Sequence, residues 1–510
     1  MKTTGLLLLL LVALGAGEQM FGCPQGPPTA PLPPGALDDV FARVDAMVAR
    51  SYRHNIALGV VYDQQLVHFT GSPGVTADSA FRIGSNSKVL TALLVWLSHQ
   101  SGKLHLDDPV ADTFPVFGQF KNRWTEGTRS ITWRDLISHR AGLARESPCQ
   151  ALWGECNRTL EQVAAIVKDW PAIGPLASRP SYSNLGFALT GHLVAQLHGV
   201  PYIDLLRAAV LGPLNMTRTD FPAAGAAPPS YLVPGFEQDQ PVPNYDFGFE
   251  NPAGGAYSTV RDLAQLLQML FRDEVAAGGG QPLDGTLIRE WLAPVWLGAG
   301  PEPIAAYGAP WEMYLTPWAP DTWIRGKLGA VLGYTSQLAA IPELKLAVVC
   351  LLGDGLAGDA QRPALDALQL LGPPLSALLA KLQPAPPVPA PALLGVYDGA
   401  EDGFARPPFL GPINATLSRA ADPRTGAPRL VLTMLAQVGS IVTTAAQGFL
   451  DLSAPDSTPQ TEYYRLVSQS PQSCDAQTGG GSQFLTRNTS DGTLRLSGLY
   501  YGFVFTKRSQ

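Results

Sequence analysis

Residues 81–97 constrain the fold more than any other part of this sequence. They read F-R-I-G-S-N-S-K-V-L-T-A-L-L-V-W-L, and nearly every residue from Val89 onward is apolar. Such a run predicts a helix that is buried on almost every side. A buried helix holds its first turn still, and the expected first turn of this helix carries Ser85 and Lys88.

Ser85 and Lys88 are three residues apart, so their side chains share one face if a helix begins near Ser85. A serine hydroxyl becomes a nucleophile when a neighbouring group accepts its proton and a positive field stabilises the alkoxide. Helix N-terminal amides supply part of such a field. Ser-x-x-Lys also occurs by chance, so the pair alone leaves a structural role open. Lys88 is the only lysine of the chain with serine three residues before it.

The composition limits the class of protein. The chain has 510 residues, of which 46% are hydrophobic and 15% are charged, so it can bury a sizeable core and is expected to form two folded units. The formal net charge of -7 is spread along the chain without basic runs. Because phosphate binding needs clustered lysine and arginine, we expect no nucleic-acid partner.

The N-terminal residues 1–17 have the pattern of a secretory signal peptide. Lys2 precedes an apolar run over residues 6–14, and small residues follow at 15–17. The run is shorter than the roughly 20 residues that span a bilayer. We therefore expect a secreted protein with no membrane contact after cleavage, with an uncleaved N-terminal anchor as the alternative. Four Asn-x-Ser/Thr sequences fit secretion as glycosylation sites, at Asn157, Asn215, Asn414 and Asn488.

Five cysteines are present, and some should pair in an oxidising compartment. Cys149 and Cys156 bracket a short polar segment and are the preferred disulfide. Cys350 lies in the apolar run 347–352 and is expected to be a buried free thiol. The cysteine spacing does not resemble a zinc site, and no metal or cofactor is expected.

The order of patterns along the chain predicts two domains. Residues 18–35 form a proline-rich lead, and residues 36–383 form the first domain. Residues 384–392 are too rich in proline for a helix or a central strand and are expected to be a stiff linker. Residues 393–510 contain short β-like runs separated by Gly, Asp, Ser and Pro, which predicts a small all-β domain.

The first domain begins with a predicted β-hairpin over residues 56–70, followed by a long region of helical patterns. Apolar runs at 334–341 and 344–352 predict two adjacent antiparallel strands, and a helix over 363–382 would cover them. This order predicts a mixed α/β (α+β) class: a central antiparallel sheet, flanking helices and a long helical insertion.

Two further patterns accompany the serine and the lysine. Tyr-Ser-Asn at 182–184 lies in a loop before an apolar helix, and no other tyrosine has asparagine two residues later. Lys-Leu-Gly at 327–329 lies just before the predicted strand pair, and no other lysine has glycine two residues later. Three patterns that each occur once therefore stand in one order.

With these motifs the chain resembles the serine β-lactamase and penicillin-binding-protein family, specifically its branch of class C β-lactamases, D-Ala-D-Ala carboxypeptidases and esterases. Class A relatives carry Ser-x-x-Lys, Ser-Asp-Asn and Lys-Thr-Gly, and Tyr-Ser-Asn is the class C form of the middle motif. The segments L-I-S-H-R-A-G-L and P-A-G-G-A-Y-S-T-V-R-D-L also resemble that branch, so the likeness covers roughly residues 36–382. The signal segment, the sequons and the trailing β domain are similar to vertebrate secreted β-lactamase-like proteins. The resemblance implies a β-lactamase/transpeptidase-like fold.

The resemblance also implies a role for each matching side chain. Ser85 would attack a carbonyl and form an acyl-enzyme, while Lys88 and Tyr182 share the proton that leaves its hydroxyl. The sequence leaves open which of the two is the base. Asn184 would hydrogen-bond Lys88 or a substrate amide, and Lys327 would attract a substrate carboxylate or support Tyr182.

The strand motif has one departure from the family pattern. The backbone amides of Ser85 and Ala330 would form the oxyanion hole, beside Gly329, with each donor worth about 3 kcal/mol. Where the family often has Lys-Thr-Gly, this chain has Leu328, which lacks the hydroxyl that helps to hold a carboxylate. The departure argues against potent β-lactam hydrolysis.

The sequence therefore predicts a secreted serine hydrolase that acts on a small-molecule or peptide substrate, an ester or an amide, through an acyl-enzyme on Ser85. The alternative is a catalytically silent binding or scaffold protein that kept the fold. The oligomeric state stays open. His139 precedes a glycine turn and is expected to be structural.

Overall fold

The structure is a computed structural model. It describes residues 31–51, 55–120, 129–149, 155–272, 282–298, 306–316, 318, 322–354, 360–382, 395–401, 410–421, 428–438, 441–452, 461–467, 484–488, 494–497 and 503–507. The chain divides into two compact units, Pro31–Leu375 and a second that begins at Ser376. The signal segment 1–17, the linker 384–392, Cys23 and Cys474 lie outside the described residues, and the domain limits near 383 and 393 stay predictions.

Strands of the first unit form one large sheet and two small ones. Their bounds are β1 (Ile56–Tyr62), β2 (Gln65–Gly71), β3 (Ala80–Arg82), β4 (Phe236–Glu237), β5 (Gln240–Pro241), β6 (Tyr257–Thr259), β7 (Trp296–Leu297), β8 (Ala306–Tyr307), β9 (Glu312–Leu315), β10 (Trp323–Val331), β11 (Tyr334–Ile341) and β12 (Leu346–Leu352). The large sheet has the order β2-β1-β12-β11-β10-β9-β8-β7 and is antiparallel throughout. β3 pairs with β6, and β4 pairs with β5.

The central strands of the large sheet are buried along their whole length. Every residue of β1, β11 and β12 is buried. The apolar runs of β1 and β12 are as expected for strands covered on both faces, whereas β11 also buries Thr335, Ser336 and Gln337. The register places Ile56 of β1 opposite Leu352 of β12. The predicted hairpin, the predicted strand pair and the central antiparallel sheet are confirmed.

Helices surround this sheet, and most of them lie in the chain between β2 and β7. Their bounds are α1 (Asp38–Ser51), α2 (Ser87–Gln100), α3 (Val110–Thr113), α4 (Trp133–Ile137), α5 (Leu160–Val167), α6 (Asn184–His198), α7 (Tyr202–Leu206), α8 (Asn251–Gly254), α9 (Val260–Leu270), α10 (Gly285–Trp291) and α11 (Gln361–Leu382). The helical insertion predicted between the strands is present, and it also contains the two small sheets. Among the described residues, none of the helices is both long and apolar enough to cross a membrane.

The helix α2 packs against α6 and α8 in the interior of the first unit. The side chains of α2 from Val89 to Trp96 are buried, as the sequence predicted. Gly191 allows α6 to approach α8 closely, because a Cβ at this position would collide with Pro252. Close packing against α6 and α8 therefore holds the first turn of α2 in a fixed position.

The described residues of the second unit form a closed antiparallel sheet of eight strands. Each strand pairs with the next one, and the last pairs with the first. Tyr397, Ala415 and Leu417 are among its buried residues, and Ala415 and Leu417 alternate with more exposed neighbours along one strand. The described residues of this unit therefore have the all-β structure that the sequence predicted. The strands are β13 (Gly395–Glu401), β14 (Leu410–Ala421), β15 (Pro428–Val438), β16 (Ile441–Leu452), β17 (Thr461–Val467), β18 (Phe484–Asn488), β19 (Leu494–Ser497) and β20 (Phe503–Lys507).

The cysteines follow the sequence prediction where the structure describes them. Cys149 and Cys156 form a disulfide, and Cys350 is a buried free thiol in β12. Residues 327–329 precede the strand pair β11–β12 as predicted, but they themselves lie in a strand, β10, that was not predicted. The sequence W-I-R-G-K-L-G-A-V of β10 mixes cations and glycines with apolar residues, so it lacks the continuous apolar run that marks β12.

Candidate active site

Ser85 lies in the 3-10 turn Gly84–Asn86, directly before α2. The sequence predicted a helix beginning near Ser85, and the first turn is 3-10 in form. The side chain of Ser85 is partly exposed, whereas both of its neighbours are buried. Gly84 has a φ of 49°, and a Cβ there would lie 2.7 Å from the amide nitrogen of Ala330. Glycine therefore lets the backbone of this turn touch the backbone of β10.

The second half of β10 is held against the turn by close packing and by hydrogen bonds. A Cβ on Gly329 would collide with the carbonyl oxygen of Ile83. Ser336, opposite Gly329 on β11, donates to that carbonyl at 2.7 Å. Asn86 Nδ2 donates to Ser336 Oγ, also at 2.7 Å. The amides of Ser85 and Ala330 thus lie on two segments whose separation is fixed.

Lys88 is fully buried in the first turn of α2, and its ammonium group has three oxygen acceptors. Nζ donates to Ser85 Oγ at 3.1 Å, to Asn184 Oδ1 at 2.7 Å and to the carbonyl of Ala253 at 2.6 Å. Burial is the largest influence on Lys88 and lowers its pKa; Tyr182 opposes burial, the positive charge of Lys327 acts with burial, and the pKa is lowered overall. A larger fraction of Lys88 is therefore neutral and able to accept a proton from Ser85.

Tyr182 lies beside Lys88 and Lys327, and interaction of its phenol with Ser85 contributes to its pKa. Its ring centroid is 4.9 Å from Lys88 Nζ and 5.1 Å from Lys327 Nζ. Burial raises the pKa of Tyr182, but the two lysine charges outweigh burial and the opposing charge of Glu312, so that the pKa is lowered overall. The phenolate form is thus more accessible than for an ordinary tyrosine.

Lys327 forms a buried ion pair on the neighbouring strand. Its Nζ lies 2.5 Å from Glu312 Oε1 and donates to the carbonyl of Leu328 at 2.8 Å. Glu312 Oε2 accepts from the amide of Leu328 at 3.0 Å. Burial lowers the pKa of Lys327, but the charges of Glu312 and Tyr182, together with the hydrogen bond to Glu312, raise the pKa overall. Lys327 therefore stays protonated.

Asn184 is placed by the N-terminus of α6. The side chain of Ser183 caps this helix by accepting from the amide of Gly186 at 2.8 Å. Asn184 directs Oδ1 toward Lys88 and donates from Nδ2 to Glu146 Oε2 at 2.8 Å. Because Glu146 accepts a hydrogen bond from the side-chain nitrogen of Asn184, the side-chain oxygen of Asn184 faces Lys88. Of the two roles expected for Asn184, the contact with Lys88 is present.

His139 lies under the tyrosine ring. It is buried, stacks on Tyr182 with ring centroids 4.4 Å apart, and accepts the amide proton of Ser183 at Nδ1, 3.0 Å away. Burial and the charges of Lys88, Lys327 and Arg145 place the pKa of His139 well below its usual value. His139 is therefore neutral and positions the loop that carries Tyr182.

The arrangement joins a partly exposed hydroxyl to two proton acceptors and to a fixed positive charge. A proton on Ser85 can pass to Lys88 or to Tyr182, whose titrations are coupled by their contact. The buried charge of Lys327 stabilises negative charge that develops nearby. Among the described residues, no group of three His, Cys, Asp or Glu side chains is placed to hold a metal ion. The geometry fits acyl transfer through a serine nucleophile.

A model of the family described as Beta-lactamase matches residues 40–371, which is more than half of the chain. The chain belongs to the Beta-lactamase family. This family includes serine hydrolases. The matched range contains Ser85, Lys88, Tyr182 and Lys327, and the resemblance found from the motifs is confirmed.

Curated relatives come from organisms as different as Dictyostelium discoideum, Amycolatopsis lactamdurans and Homo sapiens. Beta-lactamase-like protein 2 of Dictyostelium discoideum is 28% identical over 339 residues, which is 61% of this chain and 59% of the relative. Penicillin-binding protein 4 of Amycolatopsis lactamdurans is 28% identical over 62% of this chain and 84% of its own. Human beta-lactamase-like 1 is 29% identical over 72% of this chain and 75% of its own. The chain spans about half to two thirds of the first curated relatives, with 59%, 66% and 50% covered.

Solved structures of three kinds of protein share the fold. A class C β-lactamase from Rhodobacter sphaeroides is 21% identical, with a TM-score of 0.52 over 66% of this chain and 98% of its own. The D-amino acid amidase from Ochrobactrum anthropi is 21% identical, with a TM-score of 0.54 over 66% of this chain and 99% of its own. An octameric penicillin-binding protein homologue from Pyrococcus abyssi is 19% identical, with a TM-score of 0.54 over 93% of this chain and 100% of its own. The β-lactamase/transpeptidase-like fold is confirmed.

All residues that the sequence proposed for the site come together around Ser85. Two further residues of this Beta-lactamase family member were not assigned to the site from the sequence, Glu312 and His139. Glu312 lies in the short strand β9, outside every motif, and only the pairing of β9 with β10 brings it to Lys327. His139 stands in the segment L-I-S-H-R-A-G-L that carried the resemblance, and its position before a glycine turn was the sequence signal available.

Proposed function

We propose that the protein is a secreted serine hydrolase that cleaves an ester, amide or peptide through an acyl-enzyme on Ser85. The observation that carries the proposal is the contact of Ser85 Oγ with Lys88 Nζ, at 3.1 Å, beside the ring of Tyr182, whose centroid lies 4.9 Å from the same nitrogen. Burial lowers the pKa of Lys88 by disfavouring its ammonium form, whereas the charges of Lys327 and Lys88 lower the pKa of Tyr182 by favouring its phenolate form. Activated nucleophiles are recognised by this pattern.

In the acylation step, Ser85 Oγ attacks the substrate carbonyl and its proton passes to neutral Lys88 or to the phenolate of Tyr182. The carbonyl π bond becomes an oxyanion, which the amides of Ser85 and Ala330 would bind; each donor contributes about 3 kcal/mol. The oxyanion collapses, the bond to the leaving group breaks, and the leaving group takes the proton back. Ser85 then carries the acyl group as an ester.

In the deacylation step, a water molecule attacks the ester carbonyl while Lys88 or Tyr182 accepts its proton. The bond to Ser85 Oγ breaks, the serine oxygen recovers the proton, and the acid product leaves. Asn184 would hold Lys88 in place throughout, since its Oδ1 accepts from Nζ. Lys327 would stabilise the ionised tyrosine by its charge.

The substrate class follows from the residues of β10. Leu328 offers no hydroxyl to a carboxylate, which favours substrates with weak carboxylate recognition and disfavours β-lactams. The name of the D-amino acid amidase supports amides among the candidates. Gly329 and Ala330 would line the substrate edge, with the Ala330 amide as the oxyanion donor.

A fluorophosphonate probe tests the proposal directly. We expect covalent labelling of the full chain at Ser85, identified by peptide mass, and loss of labelling in Ser85→Ala. Ser87→Ala is the matched control, because Ser87 is a buried neighbour whose hydroxyl donates to the Gly84 carbonyl. A folded wild-type protein that neither reacts with the probe nor hydrolyses any ester or amide of a panel would favour the silent binding protein.

We also propose that the protein passes through the secretory pathway. The Cys149–Cys156 disulfide supports an oxidising compartment, and the exposed side chains of Asn157 and Asn215 are accessible to glycosylation. Expression in a secretory cell line should give a chain in the medium that begins after residue 17 and loses mass on removal of N-linked glycans. Retention on membranes with residues 1–17 intact would favour the uncleaved anchor.

A further inference from the structure

Glu312 already occupies two donors beside the site, the ammonium group of Lys327 and the backbone amide of Leu328. One of its oxygens contacts Lys327 Nζ at 2.5 Å, and the other accepts from the Leu328 amide at 3.0 Å. The side chains are 10% and 1% exposed for Glu312 and Lys327, so water does not screen the pair. A second anion would have to displace this carboxylate from both donors.

A contribution to folding stability does not by itself explain the ion pair between Glu312 and Lys327. A buried ion pair often contributes little compared with apolar side chains of the same size, because both charges lose their hydration. The same strand carries a second pair, Arg325 with Glu343 at 2.6 Å, whose side chains are more exposed at 12% and 16%. What distinguishes Glu312 is its place, since its partner Lys327 is the cation beside Tyr182.

Charge at the site points in the same direction. A substrate carboxylate placed near Lys327 would lie close to the ionised Glu312, and two like charges at short distance in a buried site repel strongly. Leu328 supplies no hydroxyl that could hold the substrate anion away from Glu312. An uncharged ester or amide meets none of this repulsion.

We propose that Glu312 is an internal counter-ion that sets the specificity of this site, so that the enzyme accepts acyl donors without a free carboxylate beside the scissile bond and rejects those that carry one. The inference rests on the proposed hydrolysis at Ser85. It assigns the substrate class as neutral esters and amides. Glu312 acts here through Lys327 and is a specificity-determining residue that takes no part in bond making.

The test compares two thioesters that differ only in charge, S-phenylacetyl thioglycolate and its primary amide, S-phenylacetyl thioglycolamide. Release of the thiol gives kcat and KM for each. We expect wild-type protein to prefer the amide at least tenfold in kcat/KM. Glu312→Gln keeps the shape and frees the charge of Lys327, so it should raise kcat/KM for the carboxylate compound roughly 10- to 100-fold, as for a hydrogen bond to a charged group. The gain should appear mainly in KM.

Glu343→Gln is the matched control, because it removes the carboxylate partner of another cation on β10. We expect it to leave the ratio of the two substrates unchanged. If Glu312→Gln also leaves the ratio unchanged while Ser85-dependent turnover continues, the inference is overturned and the proposed function stands.

Binding measurements separate the two proposals further. In the Ser85→Ala background, calorimetry of both compounds should show tighter binding of the amide, with the carboxylate compound gaining affinity only when Glu312→Gln is added. This result without any turnover in the Ser85 protein would sink the proposed hydrolysis and keep the specificity site. Tighter binding of the carboxylate compound by the Ser85→Ala protein, with Glu312 in place, would contradict the inference even if Glu312→Gln fails to fold.

Discussion

The surroundings of Lys88 and Lys327 differ in charge, although both ammonium groups are fully buried and both lie near the ring of Tyr182, at 4.9 and 5.1 Å from its centroid. Lys88 contacts three oxygens without formal charge, and burial lowers its pKa. Lys327 contacts the carboxylate of Glu312, and although burial lowers its pKa, the charges of Glu312 and Tyr182 together raise it. The charge of the acceptors thus makes one lysine a proton acceptor and the other a fixed charge.

Of the variants that test this comparison, the one that removes Lys88 should lower catalytic activity most. Lys88→Met keeps an apolar stem and removes the proton acceptor, and we expect kcat/KM to fall on the order of 10²- to 10⁴-fold. Lys345→Met is the control, because Lys345 is also buried and pairs with Asp63 at 3.4 Å in a turn next to β12. Fluorophosphonate labelling rates measure both. A Lys88→Met protein that labels at a wild-type rate would remove Lys88 from the mechanism.

The second largest loss of activity is expected from a change at Tyr182, whose ring lies near both lysines. Tyr182→Phe keeps the stack on His139 and removes only the phenol, and we expect kcat to fall roughly 10²-fold, at the low end for proton transfer, because Lys88 remains. Steady-state hydrolysis of a neutral ester measures the change. A loss larger than that of Lys88→Met would assign the principal base to Tyr182.

The pH dependence sharpens the contrast between the two lysines. The base must be deprotonated, so kcat/KM falls at low pH along a limb that reports its pKa. Lys327 lowers the pKa of both Tyr182 and Lys88 by its charge. Lys327→Gln removes this charge, so the limb should move to higher pH whichever residue is the base.

The control for this pH shift is the double variant Lys327→Gln/Glu312→Gln. Glu312 raises the pKa of Tyr182, so its removal opposes the loss of Lys327, and the limb should lie between those of the single variant and the wild type. The other charged or titratable groups around the pair, His139, Arg145 and Glu250, are unchanged in both variants. An unmoved limb in Lys327→Gln would show that Lys327 does not act on the base.

The smallest effect is expected at His139, which stacks on the ring of Tyr182. His139→Leu leaves the buried amide of Ser183 without its acceptor, which costs about 1–3 kcal/mol of unfolding free energy. His139→Asn keeps an acceptor and suits the backbone φ of 60°, so it should be more stable than His139→Leu. Chemical denaturation compares the two. Equal stability would show that the Ser183 hydrogen bond contributes nothing, and an unchanged kcat in both would remove His139 from the positioning of Tyr182.

The sequence predicted the site better than it predicted the strand that carries half of it. Ser85, Lys88, Tyr182 and Asn184 belong to short motifs next to strongly apolar helices, and helix periodicity is a local signal. β10 was not predicted because its core-facing pattern is interrupted by glycines, whose reason is the close approach of Gly329 to Ile83. That approach involves segments far apart in the chain.

Glu312 illustrates what the sequence leaves undetermined. It lies 15 residues before Lys327 and reaches it only because β9 and β10 pair side by side. A carboxylate in a strand of four residues has the same local pattern whether it is buried or solvated. Charge neutralisation inside the site is therefore a tertiary property, and the specificity proposed for Glu312 narrows the substrate class expected from Leu328 alone.

The thiol of Cys350 offers a built-in reporter for all of these variants. It lies on β12 between β1 and β11, opposite Leu58 and Gln337, and has no accessible surface. An alkylating reagent can reach it only when these central strands separate. The rate at which the peptide containing Cys350 is alkylated therefore measures opening of the sheet, and it distinguishes a variant that has lost its chemistry from one whose core has come apart.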